Sequence, residues 1–351
     1  MLFNIQRDQG DLIEGYVIPD GFSDIPIVVV ADEDGQIAEV VCDQPHIAVR
    51  ESGRHETGLV GFRLTEANVP RLISRKTLFL REIKSGLLIY RRPLQPDQIN
   101  MKVIRLELQL LPQLALDREM VRHFQYALPL IERFGHETTL QAFLLHGIPS
   151  IYLSGRLQVR SFQDFLDKGF RGVVLLNDPY YDMASRIIAL KRFATIKPSF
   201  LGKRDLMTLA PAIEYFGDLD LNDTAALSRS LKKAPPRVGN VLYSPMTRQF
   251  ACADFDQRST RRDIATAMDL VSRFDVIGHM NNISSFASSV GELLGLDMNL
   301  VPIAPRYFAF DQVAERLKTL PIAETYLEDD LILDYYIRQA MEADESDANQ
   351  S

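Results

Sequence analysis

The chain has 351 residues, two cysteines and a formal net charge of −8. That length supports a large core and favours two domains, while the acidic balance opposes broad nucleic-acid binding, which needs a basic surface to displace counterions. Cys42 and Cys252 lie far apart in sequence and read as buried small hydrophobes, not as a disulfide framework or a cysteine metal site.

The opening MLFNIQRDQGD is charged too early for a signal peptide, and no run of about 18 apolar residues follows anywhere, so the expectation is a cytoplasmic protein with no transmembrane segment. Residues 1–98 read as an all-β sandwich. LIEGYVI (12–18), IPIVVVA (25–31), QIAEVVC (36–42), LVGFRL (59–64), TLFLREI (77–83) and LLIYRR (87–92) are short, β-branched or aromatic runs punctuated by Gly, Asp, Pro and Ser. Asp34-Gly35 signals a hairpin between two of them. RRPLQPDQIN (91–100), with two prolines, marks a domain boundary.

Beyond residue 100 helices alternate with apolar strands. ALDREMVRHFQYALPLIERF (115–134) has helical character. IPSIYLSG (148–155), GVVLLN (172–177) and FDVIG (274–278) read as strands. Helical spacing marks SFQDFLDKGF (161–170), MASRIIALKRF (183–193), STRRDIATAMDLVSRF (259–274) and SSFASSVGELLGL (284–296). Such alternation predicts a three-layer α/β domain over 99–340, with a parallel sheet and ligands beyond the carboxyl ends of its strands. The acidic residues 341–351 read as a disordered tail.

Asn177-Asp178-Pro179-Tyr180-Tyr181-Asp182-Met183-Ala184-Ser185 joins a strand to a helix, with Asp178 as N-cap and Pro179 at the first helical position. Together with SPMTRQFAC (244–252), FDVIGHMNNISSFASSVGELLGL (274–296) and LEDDLILDYYIR (327–338), it resembles the carbohydrate branch of the sulfotransferase superfamily. Those enzymes have a P-loop-type fold and use PAPS, the phosphoadenosine phosphosulfate donor. A strand followed by Arg-Asp-Pro-x-x-Arg-x-x-Ser grips the nucleotide's 3′-phosphate. The resemblance implies a PAPS donor, a carbohydrate acceptor in bacterial surface-polysaccharide metabolism, and donor contacts at Asp178 and Ser185.

Both arginines of that pattern are missing here, replaced by Asn177 and Asp182. Arg186 is a nearby substitute, although it lies about 100° around the helix from Ser185; Lys191 and Arg192 are more distant ones. The family's Lys-Thr-Gly-Gly-Thr-Ser loop is also missing. Its nearest counterpart is ERFGHETTLQAFLL (132–145), with Arg133 for the Lys, Gly135, and the hydroxyls of Thr138 and Thr139. That segment reads more readily as a helix-helix connection in which Gly135 is a C-cap and Thr138 opens the next helix. Arg156, in IYLSGRLQVR (151–160), is a candidate anion contact at the sheet edge, and its bland alternative is a solvated turn. Sulfuryl transfer needs a base for the acceptor hydroxyl, for which His136, Glu137 and His146 are candidates; His279 is another.

No metal-binding motif is expected. Two rivals stay open: a noncatalytic relative that binds or scaffolds in polysaccharide assembly, and a transferase using another nucleotide donor, for which Asp218-Leu219-Asp220 is a metal motif candidate.

Overall fold

The computed structural model describes residues 1–93, 98–145 and 147–348. The chain divides into two compact units. The first holds Met1–Lys102, Met120–Pro129 and Phe134–Leu153, and the second holds Val103–Glu119, Leu130–Arg133 and Ser154–Ser351.

The antiparallel strands come first: β1 (Leu2–Asp8), β2 (Ile13–Ile18), β3 (Ile27–Asp32), β4 (Gly35–Val41), β5 (Gln44–Pro45), β6 (Leu59–Leu64), β7 (Phe79–Glu82) and β8 (Leu88–Arg91), with a short helix α1 (Ile47–Glu51) before β6. They form two four-stranded sheets of order β1-β2-β6-β5 and β4-β3-β7-β8. Period-two alternation sets their register: Val28 and Val30 of β3 are fully buried while their neighbours are partly open, so a slip of one residue would expose both. The hairpin between β3 and β4 is present, but its turn falls on Glu33-Asp34 and Gly35 already pairs with Asp32. Gly15 pairs with Phe62 across β2 and β6, and a Cβ there would come within 2.8 Å of the Phe62 ring. The strand needs glycine at that point.

A buried guanidinium ties this unit together. Arg92 donates from Nε and Nη2 to both carboxylate oxygens of Asp8, at 2.9 and 3.1 Å, and from Nη2 and Nη1 to the carbonyls of Gly10, Leu72 and Arg75. Tyr90 Oη adds a third hydrogen bond to Asp8.

The parallel strands are β9 (Lys102–Leu106), β10 (Tyr126–Leu128), β11 (Ile151–Gly155), β12 (Phe170–Leu176) and β13 (Val276–His279), in the order β10-β11-β9-β12-β13. The helices are α2 (Leu114–His123), α3 (His136–Phe143), α4 (Gln163–Asp167), α5 (Pro179–Phe193), α6 (Lys203–Phe216), α7 (Thr224–Lys233), α8 (Pro236–Gly239), α9 (Pro245–Ala251), α10 (Arg261–Val271), α11 (Ile283–Leu294), α12 (Phe308–Lys318) and α13 (Pro321–Ala348). None of the described helices is long and apolar enough to cross a membrane.

Two sequence expectations change. The helix anticipated over 115–134 stops at His123, and Tyr126–Leu128 pairs instead with β11, all three residues buried. The tail anticipated over 341–351 is helical through Ala348, because its Ala, Glu and Met residues are good helix formers that continue α13. Residues 94–97, which hold the second boundary proline, lie outside the described residues.

In the second unit the middle of β12 is a run of buried apolar residues, as a strand covered on both faces requires. It feeds α5, which Asp178 caps by accepting the Tyr181 N–H at 3.0 Å. Most of α5 is buried. Ala184, Ile187 and Leu190 pack in one cluster with Leu209, Ala212 and Phe216 of α6, Val313 and Leu317 of α12, and Ala323 and Leu327 of α13.

Removing Arg92 would leave Asp8 partly buried beside Tyr90 with no counter-charge. Arg92→Ala is therefore expected to destabilise the first unit by about 3–5 kcal/mol in denaturant titrations. Burial alone would raise the Asp8 carboxyl, but the hydrogen bonds from Arg92, Gly10 and Tyr90 hold it below its ordinary value of 3.8. This contribution is complete above 3.8 and is lost as pH falls through the lower folded value. Acid unfolding of Asp8→Asn should lack that component.

Candidate functional site

The chain leaves β9 for β10 and β11 on one side of the sheet, and leaves β12 for β13 on the other. Adjacent strands whose connections diverge in this way open a crevice beyond their carboxyl ends, where α/β folds bind ligands. Leu108 and Gln109 follow β9 and Asn177 follows β12, so the strand-turn-helix junction at 177–185 sits at this switch point.

A recess there is lined by Leu108, Gln109, Asn177, Pro179, Asp182, Met246 and Asp330. It encloses about 260 Å³ of empty space, open solvent included, of which a water-sized sphere can occupy only about 10 Å³, close to the least that holds one water. The polar residues of its lining are buried: Asn177 is 5% exposed, Gln109 8%, Asp182 9% and Asp330 2%.

Each wall has a local cause. After β9, Glu107 organises the bend by accepting the backbone N–H groups of Gln109 and Gln113 and the Arg105 guanidinium, while its own carbonyl accepts Gln249 Nε2 at 2.6 Å. Arg105 also bonds Asp117 at 2.9 Å, and Ser154 Oγ donates to Asp117 at 2.6 Å. Across the recess, Ser244 adopts the left-handed region (φ 32°) immediately before α9, a strained conformation for a residue with a side chain. The following amides, Met246 N–H and Thr247 N–H, donate to the two oxygens of Asp330 at 3.1 and 2.7 Å.

Arg186 decides the electrostatics. It donates from Nε to Asp182 Oδ2 at 2.6 Å and from Nη2 to the Leu108 carbonyl at 2.5 Å. Burial raises the Asp182 carboxyl above its ordinary value despite that partner. Asp330 is pushed up to about 6, mainly by burial and further by Asp182, while its backbone hydrogen bonds oppose the rise. Arg248 is buried too; burial and the charge of Arg186 lower it to about 10, so it stays protonated at neutral pH.

The donor contacts anticipated from sequence are already engaged. Ser185 Oγ donates to the Asp182 carbonyl at 2.8 Å, and Asp178 is spent on its cap. Arg156 pairs with Glu132 at 3.2 Å and Asp205 at 2.9 Å. Lys191 donates to the Leu219 carbonyl and lies about 18 Å along α5 from Pro179, too far to replace the lost arginines.

Arg133 ends a 3₁₀ turn (Ile131–Arg133) in the second unit, whereas Gly135, His136, Glu137, Thr138 and Thr139 belong to the first. Gly135 caps α3 at its N-terminus, not a preceding helix at its C-terminus, and its ordinary extended backbone (φ −69°) does not require glycine. Thr138 and Thr139 are buried, and Thr138 Oγ1 accepts the Met1 amine at 2.9 Å. Glu137 pairs with Arg54. His136 opens α3, and His146 lies outside the described residues. His279, at the end of β13, accepts the Asn281 N–H on Nδ1, while its Nε2 lies 3.3 Å from Asp334 without a hydrogen bond. Asp218 and Asp220 are exposed in the loop after α6.

Gln109, Arg248 and Asp330 were not singled out from sequence. Asp330 carried a signal: with Asp334 it interrupts the apolar stripe Ala323, Tyr326, Leu327, Leu333 and Ile337 on α13, all buried, and charge within a buried stripe demands partners.

Because the folded state holds the Asp330 proton up to about 6 and the unfolded chain releases it near 3.8, this group stabilises the fold fully below 3.8. The contribution declines as pH rises through about 6, a total of roughly 3 kcal/mol at about 1.4 kcal/mol per pKa unit. Thermal melts between about pH 4 and pH 7 should show wild type losing stability relative to Asp330→Asn. A constant difference between the two proteins would contradict the assignment. Comparison with family models, with curated proteins and with solved structures finds no match to this chain.

Proposed function

We propose that this chain is a sulfotransferase-like protein that no longer grips a nucleotide donor and acts as a noncatalytic binding or scaffolding component of polysaccharide assembly, with a carbohydrate ligand. On this reading the second unit is a P-loop-type three-layer domain, the two antiparallel sheets are an accessory sandwich, and the protein works in the cytoplasm.

The observation that carries the reading is the Asp182–Arg186 pair at the switch point. An active PAPS-dependent enzyme would have to turn Arg186 onto the donor's phosphate. Stranding the buried Asp182 carboxylate costs about 3–5 kcal/mol. A charge-assisted hydrogen bond to phosphate returns roughly 1.5–3 kcal/mol. The exchange is unfavourable, and the acidic lining repels the anion further. Carboxylate and amide side chains suit hydroxyl groups instead.

Titration calorimetry with PAP, the desulfated donor, tests this. Wild type should bind PAP only weakly. Asp182→Asn keeps the side-chain volume and removes the competing charge, so its PAP affinity should rise at least tenfold, equivalent to about 1.4 kcal/mol. Tight PAP binding by wild type would overturn the proposal in favour of a donor-using sulfotransferase.

A further inference from the structure

We infer that the switch-point recess is a receptor for one hydroxyl group of an uncharged, polyhydroxylated ligand. The inference rests on the carbohydrate reading above and assigns it a recognition element.

The argument is a count of hydrogen-bonding capacity. Four polar atoms of residues lining the recess are buried and make no hydrogen bond among the described residues: Gln109 Nε2, Asn177 Nδ2, Asn177 Oδ1 and Asp182 Oδ1. Two are donors and two are acceptors, and turning the Asn177 amide over leaves that balance unchanged. A metal or ammonium ion needs acceptors alone, and two amide NH₂ groups would oppose it. A phosphate or sulfate oxygen needs donors alone, and Asp182 would oppose it. A hydroxyl both donates and accepts, and the recess has room for about one water-sized oxygen. Asp330 lends a further acceptor edge when ionised and a donor when protonated.

Leaving such groups unpaired costs about 1–3 kcal/mol each. Asn177, Gln109 and Asp182 come from segments following two different strands, with Asp330 from α13 completing the wall, so the cluster is not the by-product of one local turn. Its position at the strand ends, beside the strained Ser244, is where such cost coincides with ligand binding.

The test follows the side-chain amide signals of Asn177 and Gln109 by ¹H–¹⁵N NMR in the full chain, identified by their loss in Asn177→Leu and Gln109→Leu. Three probes are titrated: ethylene glycol, 1,2-dimethoxyethane, which is the same skeleton with both hydroxyl hydrogens replaced by methyl groups, and inorganic phosphate. Ethylene glycol should shift both amide pairs along a saturating curve, with no such response to the dimethyl ether or to phosphate. Silence toward ethylene glycol, or an equal response to the ether, overturns the hydroxyl receptor and leaves a cavity for structural water alone, without touching the donor-loss reading. A saturating response to phosphate overturns the receptor and counts against the donor-loss reading as well. The titrations are made on wild type, and where a leucine variant does not fold, through-bond correlation of each side-chain NH₂ to its own backbone in the wild-type chain supplies the identification.

Discussion

The ion pair between Asp182 and Arg186 fixes the character of the second unit. Its two residues are one helical turn apart on α5, and Arg186 also holds the Leu108 carbonyl, so one side chain joins the end of β9 to the helix that follows β12. A basic group at a switch point would ordinarily recruit an anion. Here it is satisfied from within, and what remains open to the recess is carboxylate and amide. The same pair raises the cost of protonating or replacing Asp182, which makes the local charge pattern a structural property as much as a chemical one.

Around that pair the polar groups are unusually deep. Arg105 with Glu107 and Asp117, Arg156 with Glu132, and His279 with Asp334 each meet at or beyond the carboxyl ends of the sheet. Buried pairs of this kind offset their own desolvation and contribute little net stability. Their effect is geometric. They tie the loops after β9, β11 and β13 to neighbouring segments and so support the walls of the recess.

The antiparallel part was legible in the sequence because alternation and turn residues are local. The runs at 25–31, 36–42 and 59–64 fall within a residue or two of β3, β4 and β6, while β1, whose Gln, Arg and Asp conceal the alternation, and the two-residue β5 were passed over. The parallel part was less so. The segment KVIRL, the central strand β9, carries Arg105 just before Glu107, and charges look like surface until the partner Asp117 is known to fold against them. The junction at 177–186 was placed correctly as strand, cap and helix. Its chemistry was not, because the i to i+4 spacing of Asp182 and Arg186 is equally that of an exposed helix pair; only burial turns it into a clamp. Gln109 and Asp330 belong to segments distant in sequence, and nothing short of the fold brings them together.

The account stands on Arg186 being occupied by Asp182 and unavailable to an external anion. A crystal structure of the full chain soaked in sulfate tests this most directly. The account predicts that Arg186 keeps its contacts with Asp182 and Leu108 and that the recess beside Asn177 holds no sulfate. A sulfate bound there by Arg186 and Arg248, with Asp182 turned away, would contradict it and restore the anion grip.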